Sequence, residues 1–186
     1  MERIIKLLYI LILYKLSELE FYLYPQKVTF FLREIYLKSR NFNFYKSSIR
    51  IGKSVYIKND GNFIFGKRCC IGSYSKFWNY DLIQIGDDFL SAGNLTINTG
   101  SHEIESLKPI SNKVIIGDRV WCGINVTILS GVKIGNDVII GAGSVVNKDI
   151  EDGAIVVGVP AKKIKSIDRS NIVIHEQFRW IETRLK

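Results

Sequence analysis

The chain has 186 residues, 47% of them hydrophobic and 24% charged, with a formal net charge of +8. That length gives one domain with terminal extensions, enough to bury a core, and the composition excludes a disordered or low-complexity protein. The positive excess suits an anionic ligand, nucleic acid or a membrane surface without choosing among them.

Three cysteines, Cys69, Cys70 and Cys122, fall in no metal-ligand spacing, and two of them are adjacent. This suits neither a zinc site nor a disulfide framework, so a reducing, cytoplasmic setting is expected. Residues 1–48 open with "MERIIKLLYILILYKLSELEFYLYPQ". The uncharged run Leu7 to Tyr14 is too short to span a bilayer, and no small-residue cleavage site follows it. Two readings stay open for this extension. A helix could pack on its own protein or a neighbouring subunit. Alternatively it lies in the membrane interface, with Tyr9, Tyr14, Phe21, Tyr22 and Tyr24 among headgroups and Arg3, Lys6 and Lys15 toward anionic lipid. Pro25 ends this helix, and a second, "KVTFFLREIYLKSR", follows.

From Ile51 the pattern changes to a period of six. Ile116-Gly117, Cys122-Gly123, Ile134-Gly135 and Ile140-Gly141 mark the steps; Ile128 and Val146 fill the others, with Leu129 and Asn147 in place of Gly. Four residues after each step comes a small or aliphatic residue: Val120, Val126, Val132, Val138, Ser144 and Ile150. Upstream, Phe65-Gly66 and Ile85-Gly86 each arrive two residues late, as though a corner bulged. The period fits neither a helix nor an alternating strand. It predicts an all-β solenoid over residues 49–165, each coil having three flat faces. The aliphatic residue points inward, and Gly supplies the backbone conformation of each corner. Counting inward at Ile97 and Ser101, His102 projects outward. The register then breaks by thirteen residues, "EIESLKPISNKVI", giving a loop over 103–115 beside His102. The repeat ends near Pro160 in "VVGVPAKKIK", and residues 166–186 read as a short strand or turn and a capping helix.

The segment "IGDRVWCGINVTILSGVKIGNDVIIGAGSVVNKDIEDGAIVVGVPAKKIK" resembles the hexapeptide-repeat acyltransferases. More narrowly it is similar to galactoside/maltose O-acetyltransferases and to sugar O-acetyltransferases of bacterial surface-polysaccharide synthesis. The resemblance runs from about Ile51 to Lys165. It implies a left-handed parallel β-helix, a homotrimer with active sites between subunits, acetyl-CoA as acyl donor and no catalytic metal. Handedness rests on the resemblance alone.

"IGDDFLSAGNLTINTGSH" coincides with the family stretch that ends in the catalytic histidine, so the resemblance gives His102 that role. A single base suffices for direct acetyl transfer to a hydroxyl. Asp81 and Glu103 are candidates to orient its imidazole. The resemblance assigns Ala142 and Gly143 to the pantetheine arm, Asn147 and Lys148 to the position of a Thr-Lys pair, and Lys162 and Lys165 to the nucleotide phosphates. Trp121 matches the family tryptophan flanking the acceptor pocket and the donor. Where the family has an acidic acceptor contact this chain has Tyr80, leaving Asn79 and Asp81 as polar substitutes.

These readings predict an O-acetyltransferase of a surface-glycan sugar with no nucleic-acid partner, docked on the cytoplasmic membrane face where the interfacial reading of the extension holds. Two alternatives stay open: N-acetylation of a nucleotide-linked amino sugar, and a non-catalytic trimeric scaffold. The zinc enzymes sharing this solenoid need three histidines, and this chain has His102 and His175 only.

Overall fold

The computed structural model describes residues 43–44, 49–58 and 63–167. The N-terminal helices and the C-terminal capping helix expected from the sequence fall outside them.

The described residues form an all-β parallel solenoid of about five coils. The first coil holds β1 (Asn43–Phe44), β2 (Arg50–Ile51) and β3 (Tyr56–Ile57). The second holds β4 (Phe63–Phe65), β5 (Cys70–Ile71) and β6 (Lys76–Trp78). The third holds β7 (Ile83–Ile85), β8 (Leu90–Ser91) and β9 (Thr96–Asn98), after which β10 (Gly100–His102) and β11 (Pro109–Ser111) leave the coil as an antiparallel hairpin. The fourth holds β12 (Val114–Ile116), β13 (Trp121–Cys122) and β14 (Thr127–Ile128); the fifth, β15 (Lys133–Ile134), β16 (Ile139–Ile140) and β17 (Val145–Val146). Last, β18 (Ala154–Val157) continues the stack and β19 (Lys162–Ser166) folds back antiparallel on it.

Coil upon coil, these strands stack into three sheets. The first face is β1-β4-β7-β12-β15, the second β2-β5-β8-β13-β16-β18-β19, and the third β3-β6-β9-β14-β17. Register follows the predicted inward column: Ile57 over Phe77, Ile97, Ile128 and Val146 on the third face, and Phe65 over Ile85, Ile116 and Ile134 on the first. From Ile116 to Ile150 both inward positions of each hexad are buried, including Val120, Val126, Val132, Val138 and Ser144. Each fully buried aliphatic or aromatic side chain contributes about 1.5–3 kcal/mol. In the wider upper coils Phe63, Phe65 and Phe77 fill the axis, with Phe63 edge-on to Phe77 at 5.1 Å. Buried Ser144 costs little, since its hydroxyl donates to Gly141 O (2.7 Å) and accepts from Gly158 N (3.1 Å).

The role expected of the hexad glycines is corrected by the backbone. The left-handed corner residues are Arg119, Asn125, Gly131, Asp137 and Gly143, with φ of 57, 60, 82, 58 and 70°. They recur every sixth residue, but two places after the predicted glycine. Gly72 and Gly135 are instead demanded by proximity: an added Cβ would lie 2.2 Å from the Ala92 carbonyl of the next coil, or 2.1 Å from Asp152 Oδ1. At the corner between first and second faces the left-handed residues carry alternating charge. Arg68 grips Asp88 at 2.5 and 2.7 Å, and Arg119 grips Asp137 at 2.8 and 2.7 Å.

The departures from period six fall at one corner, where the third face turns into the first. Ile57 to Phe65 and Phe77 to Ile85 span eight residues instead of six. The hairpin leaves from the same corner one coil later, so partners across it are 31 apart instead of 18. The expected loop is thus an ordered hairpin, and it begins earlier than 103. Ser101 is exposed on it instead of inward; the last inward residue before it is buried Thr99.

Candidate active site

The irregular corner is built on two hydroxyls. Thr99 Oγ1 donates to Trp78 O (3.1 Å) and accepts from Asp81 N (2.9 Å), fixing the upper bulge to the coil below. Ser130 Oγ donates to Thr99 O (2.7 Å) and accepts from Asn112 N (3.2 Å), clamping the two ends of the hairpin. Within the hairpin, His102 pairs with Pro109 and Ser101 with Ile110. Its tip closes through Leu107 N to Glu103 O at 2.9 Å.

Between hairpin and coils lies a groove of about 820 Å³, lined by His102, Tyr80, Asn98, Leu129, Ser130 and Asn147 together with the hairpin strands. His102 is the only histidine on this wall, and no Asp, Glu, Lys or Arg lines it. The imidazole is exposed as predicted, with no hydrogen-bond partner among the described residues. Gly100 is required beside it, because an added Cβ would sit 2.7 Å from the Tyr80 ring. Lys58 Nζ stands 4.3 Å from the centroid of that ring, a cation–π contact at the groove margin.

The expected orienting carboxylates are turned elsewhere. Asp81 Oδ1 accepts from Leu82 N (2.6 Å), and Glu103 Oε2 accepts from Ser106 Oγ (2.5 Å) at the hairpin tip. Neither bonds His102. Asn79, expected to touch an acceptor, is fully buried in the bulge and exposes nothing to the groove. Of the expected donor-binding residues, Asn147 lines the groove, and Lys148 follows it, exposed. The others lie apart within this chain. Trp121 stands outward on β13 of the second face, Ala142 and Gly143 are exposed at the corner between second and third faces, and Lys162 and Lys165 project from β19.

Tyr80, Asn98, Leu129 and Ser130 were not among the expected site residues, yet the sequence carries a signal for this wall. On the first face Gly follows the inward residue in four steps, at Gly66, Gly86, Gly117 and Gly135. On the third face it never does: Lys58, Trp78, Asn98, Leu129 and Asn147 occupy the place. The corner that keeps its side chains is the corner that holds the groove.

The thiols offer no nucleophile. Burial pushes Cys69 up to about 12 and raises Cys122 as well. Among the described residues no three His, Cys, Asp or Glu side chains are placed to hold a metal ion, and no helix is long and apolar enough to cross a membrane.

A hexad-built prism carrying at one corner the single histidine of the described residues has the form of a hexapeptide-repeat transferase. The family model described as "Bacterial transferase hexapeptide (six repeats)" matches residues 113–148. The "Putative lipopolysaccharide biosynthesis O-acetyl transferase WbbJ" of Escherichia coli (strain K12) is 31% identical over 173 residues, covering 74% of this chain and 85% of that protein. The galactoside O-acetyltransferase of the same strain is 32% identical over 130 residues, 63% of this chain and 64% of the relative. Among solved structures, a maltose O-acetyltransferase from Clostridium difficile 630 superposes with a TM-score of 0.68 at 30% identity, over 86% of this chain and 85% of that one. The chain belongs to the hexapeptide-repeat acyltransferase family.

Proposed function

We propose that the chain transfers the acetyl group of acetyl-CoA to a sugar hydroxyl, with His102 as general base, in the synthesis of a bacterial surface polysaccharide. The observation that carries this is an exposed imidazole, without a hydrogen-bond partner among the described residues, on a groove lined by no carboxylate, lysine or second histidine. In the reaction His102 removes the hydroxyl proton as the sugar oxygen attacks the thioester carbonyl. The tetrahedral intermediate then expels the CoA thiolate, which takes that proton. No acyl-enzyme is needed, consistent with the buried thiols of Cys69 and Cys122 and with the absence of any cysteine from the groove lining. Such a base contributes about 10²–10⁴-fold.

Apart from Asn147 and Lys148, the expected donor-binding residues lie away from the groove within one copy. A closed three-fold assembly would bring Trp121, Ala142, Gly143, Lys162 and Lys165 of one copy toward the His102 groove of the next. Lys162 and Lys165, exposed and without a carboxylate partner among the described residues, suit the phosphates of the donor. Asn147 and Lys148 would then meet the pantetheine arm from the histidine's own side. The relatives named as sugar and lipopolysaccharide O-acetyltransferases support the acceptor class. The setting that suits this reading is the cytoplasmic side of the membrane, where donor and nascent glycan would meet.

The test is His102→Ala assayed for thiol release from acetyl-CoA against a panel of envelope glycans and nucleotide sugars. Loss of 10²-fold or more in kcat is expected; near wild-type turnover would remove His102 from the chemistry.

A further inference from the structure

The side chains that replace glycine along the third face do not stop at the groove. Above Asn98 come Trp78 and then Lys58, one per coil, toward the first coil. One place earlier on the same outward surface, Tyr56 pairs with Lys76 and Lys76 with Thr96. The Tyr56 and Trp78 rings meet at 5.0 Å, tilted by 51°, and Tyr56 is 45% exposed. Lys76 is exposed and makes no ion pair among the described residues. The strip is continuous with the groove through Tyr80, which lines the groove while Lys58 stands over its ring.

Among the described residues, charge along this strip has one sign. β3, β6, β9, β14 and β17 contain no Asp or Glu, and neither does the groove lining. Asp81, which follows Tyr80, is spent on its own turn. The opposite edge of the prism pairs its cations: Arg68 and Arg119 each grip an aspartate. Exposed aromatic rings offer flat apolar surfaces to the C–H faces of sugar rings, and lysines beside them attract carboxylate or phosphate groups. Thr96, Asn98 and Thr127 add hydroxyls and an amide farther along. A single sugar would need the groove alone; a surface running on over two further coils suits a chain of sugars.

We infer that the acceptor is an acidic oligosaccharide, its reacting sugar in the His102 groove and its adjoining sugars lying along Trp78, Tyr56 and Lys76. This rests on the sugar-acetylation reading and names the substrate class of the same site. Tyr56 and Lys76 set specificity by binding; they touch no reacting atom.

The experiment uses the full chain, with galacturonate and its tetramer as acidic probes and maltotetraose as the neutral one. Affinity is read by calorimetry on the His102→Ala protein, so that binding is measured without turnover. The acidic tetramer is expected to bind at least ~10-fold more tightly than either the monomer or maltotetraose, a difference of about 1.4 kcal/mol. Tyr56→Ala/Lys76→Ala should abolish that advantage and leave monomer affinity unchanged. Circular dichroism and the unfolding midpoint of the double variant show that it folds. Equal affinity for acidic and neutral tetramers, or an unchanged double variant, overturns the inference. The acetylation reading is scored separately by thiol release: turnover on sugars with no dependence on charge or length removes only the inference. Absence of turnover on any sugar removes that reading, while the calorimetry still reports on the strip.

Discussion

Two kinds of glycine share this sequence, and only their surroundings separate them. Gly72 faces the backbone of Ala92 at 2.2 Å, whereas Gly143 has φ +70° and an added Cβ there meets nothing within 4 Å. Gly72→Ala is expected to cost about 3 kcal/mol, because backbone must move. Gly143→Ala should cost about 1 kcal/mol, the left-handed penalty alone. Denaturant unfolding of both variants checks the order, and equal costs would refute the division of roles. The buried thiols make a second residue-scale prediction. Burial raises Cys69 from 9.0 to about 12, and Cys122 rises too. A raised folded value means the unfolded chain ionises first, so this contribution is fully present below pH 9 and is lost as pH climbs toward 12. Stability should fall by up to about 1.4 kcal/mol per pH unit for each thiol above pH 9. Cys122→Ala should flatten that slope in denaturant titrations between pH 8 and 10.5.

At the scale of the element, the hairpin β10–β11 is closed at its base by Asn112 N donating to Thr99 O (2.9 Å) and by the Ser130 hydroxyl bridging the same two groups. Ser130→Ala removes the bond to Thr99 O and one of the two acceptors of Asn112 N. A loss of about 1 kcal/mol is expected. Faster amide exchange at Asn112 and a lower kcat with unchanged KM for acetyl-CoA should accompany it. If kcat holds while exchange accelerates, the clamp does not position His102. How much of this was legible in sequence differs by element. The hexads were readable because an inward aliphatic column needs the same residue class at each turn of a uniform coil. The two-residue delays at Phe65 and Ile85 likewise announced the bulges. Pairing of Gly100–His102 with Pro109–Ser111 was not readable, since its strands are short, exposed on both sides and carry no alternation. Asn79 was misplaced for a related reason. A polar residue next to a site suggests contact, but the extra bulge residues turned it inward. The glycine-free third face was on view in the sequence all along, and it becomes a signal only once steps are sorted by face.

For the molecule as a whole, the decisive matter is that Trp121, Ala142, Gly143, Lys162 and Lys165 stand apart from the histidine's groove. If neighbouring copies complete each site, two inactive proteins can complement one another. His102→Ala mixed and co-refolded with Lys162→Glu/Lys165→Glu should recover roughly a quarter of wild-type sites on random assembly. Activity assays of the mixture, with each parent as a control, measure this; no recovery would confine the site to one copy. Sedimentation of the wild type should give the mass of three chains.

The concentration of every irregularity at one corner has an evolutionary consequence. Two edges of the prism keep strict time, since each coil touches only its neighbours and any inserted residue there would break a ladder of hydrogen bonds or the Arg–Asp chain. The third edge already tolerates additions of two residues and of a whole hairpin without disturbing the stack. Descendants of such a chain can therefore exchange hairpins like cartridges at that edge, acquiring new acceptors while the opposite surfaces go on meeting the same donor.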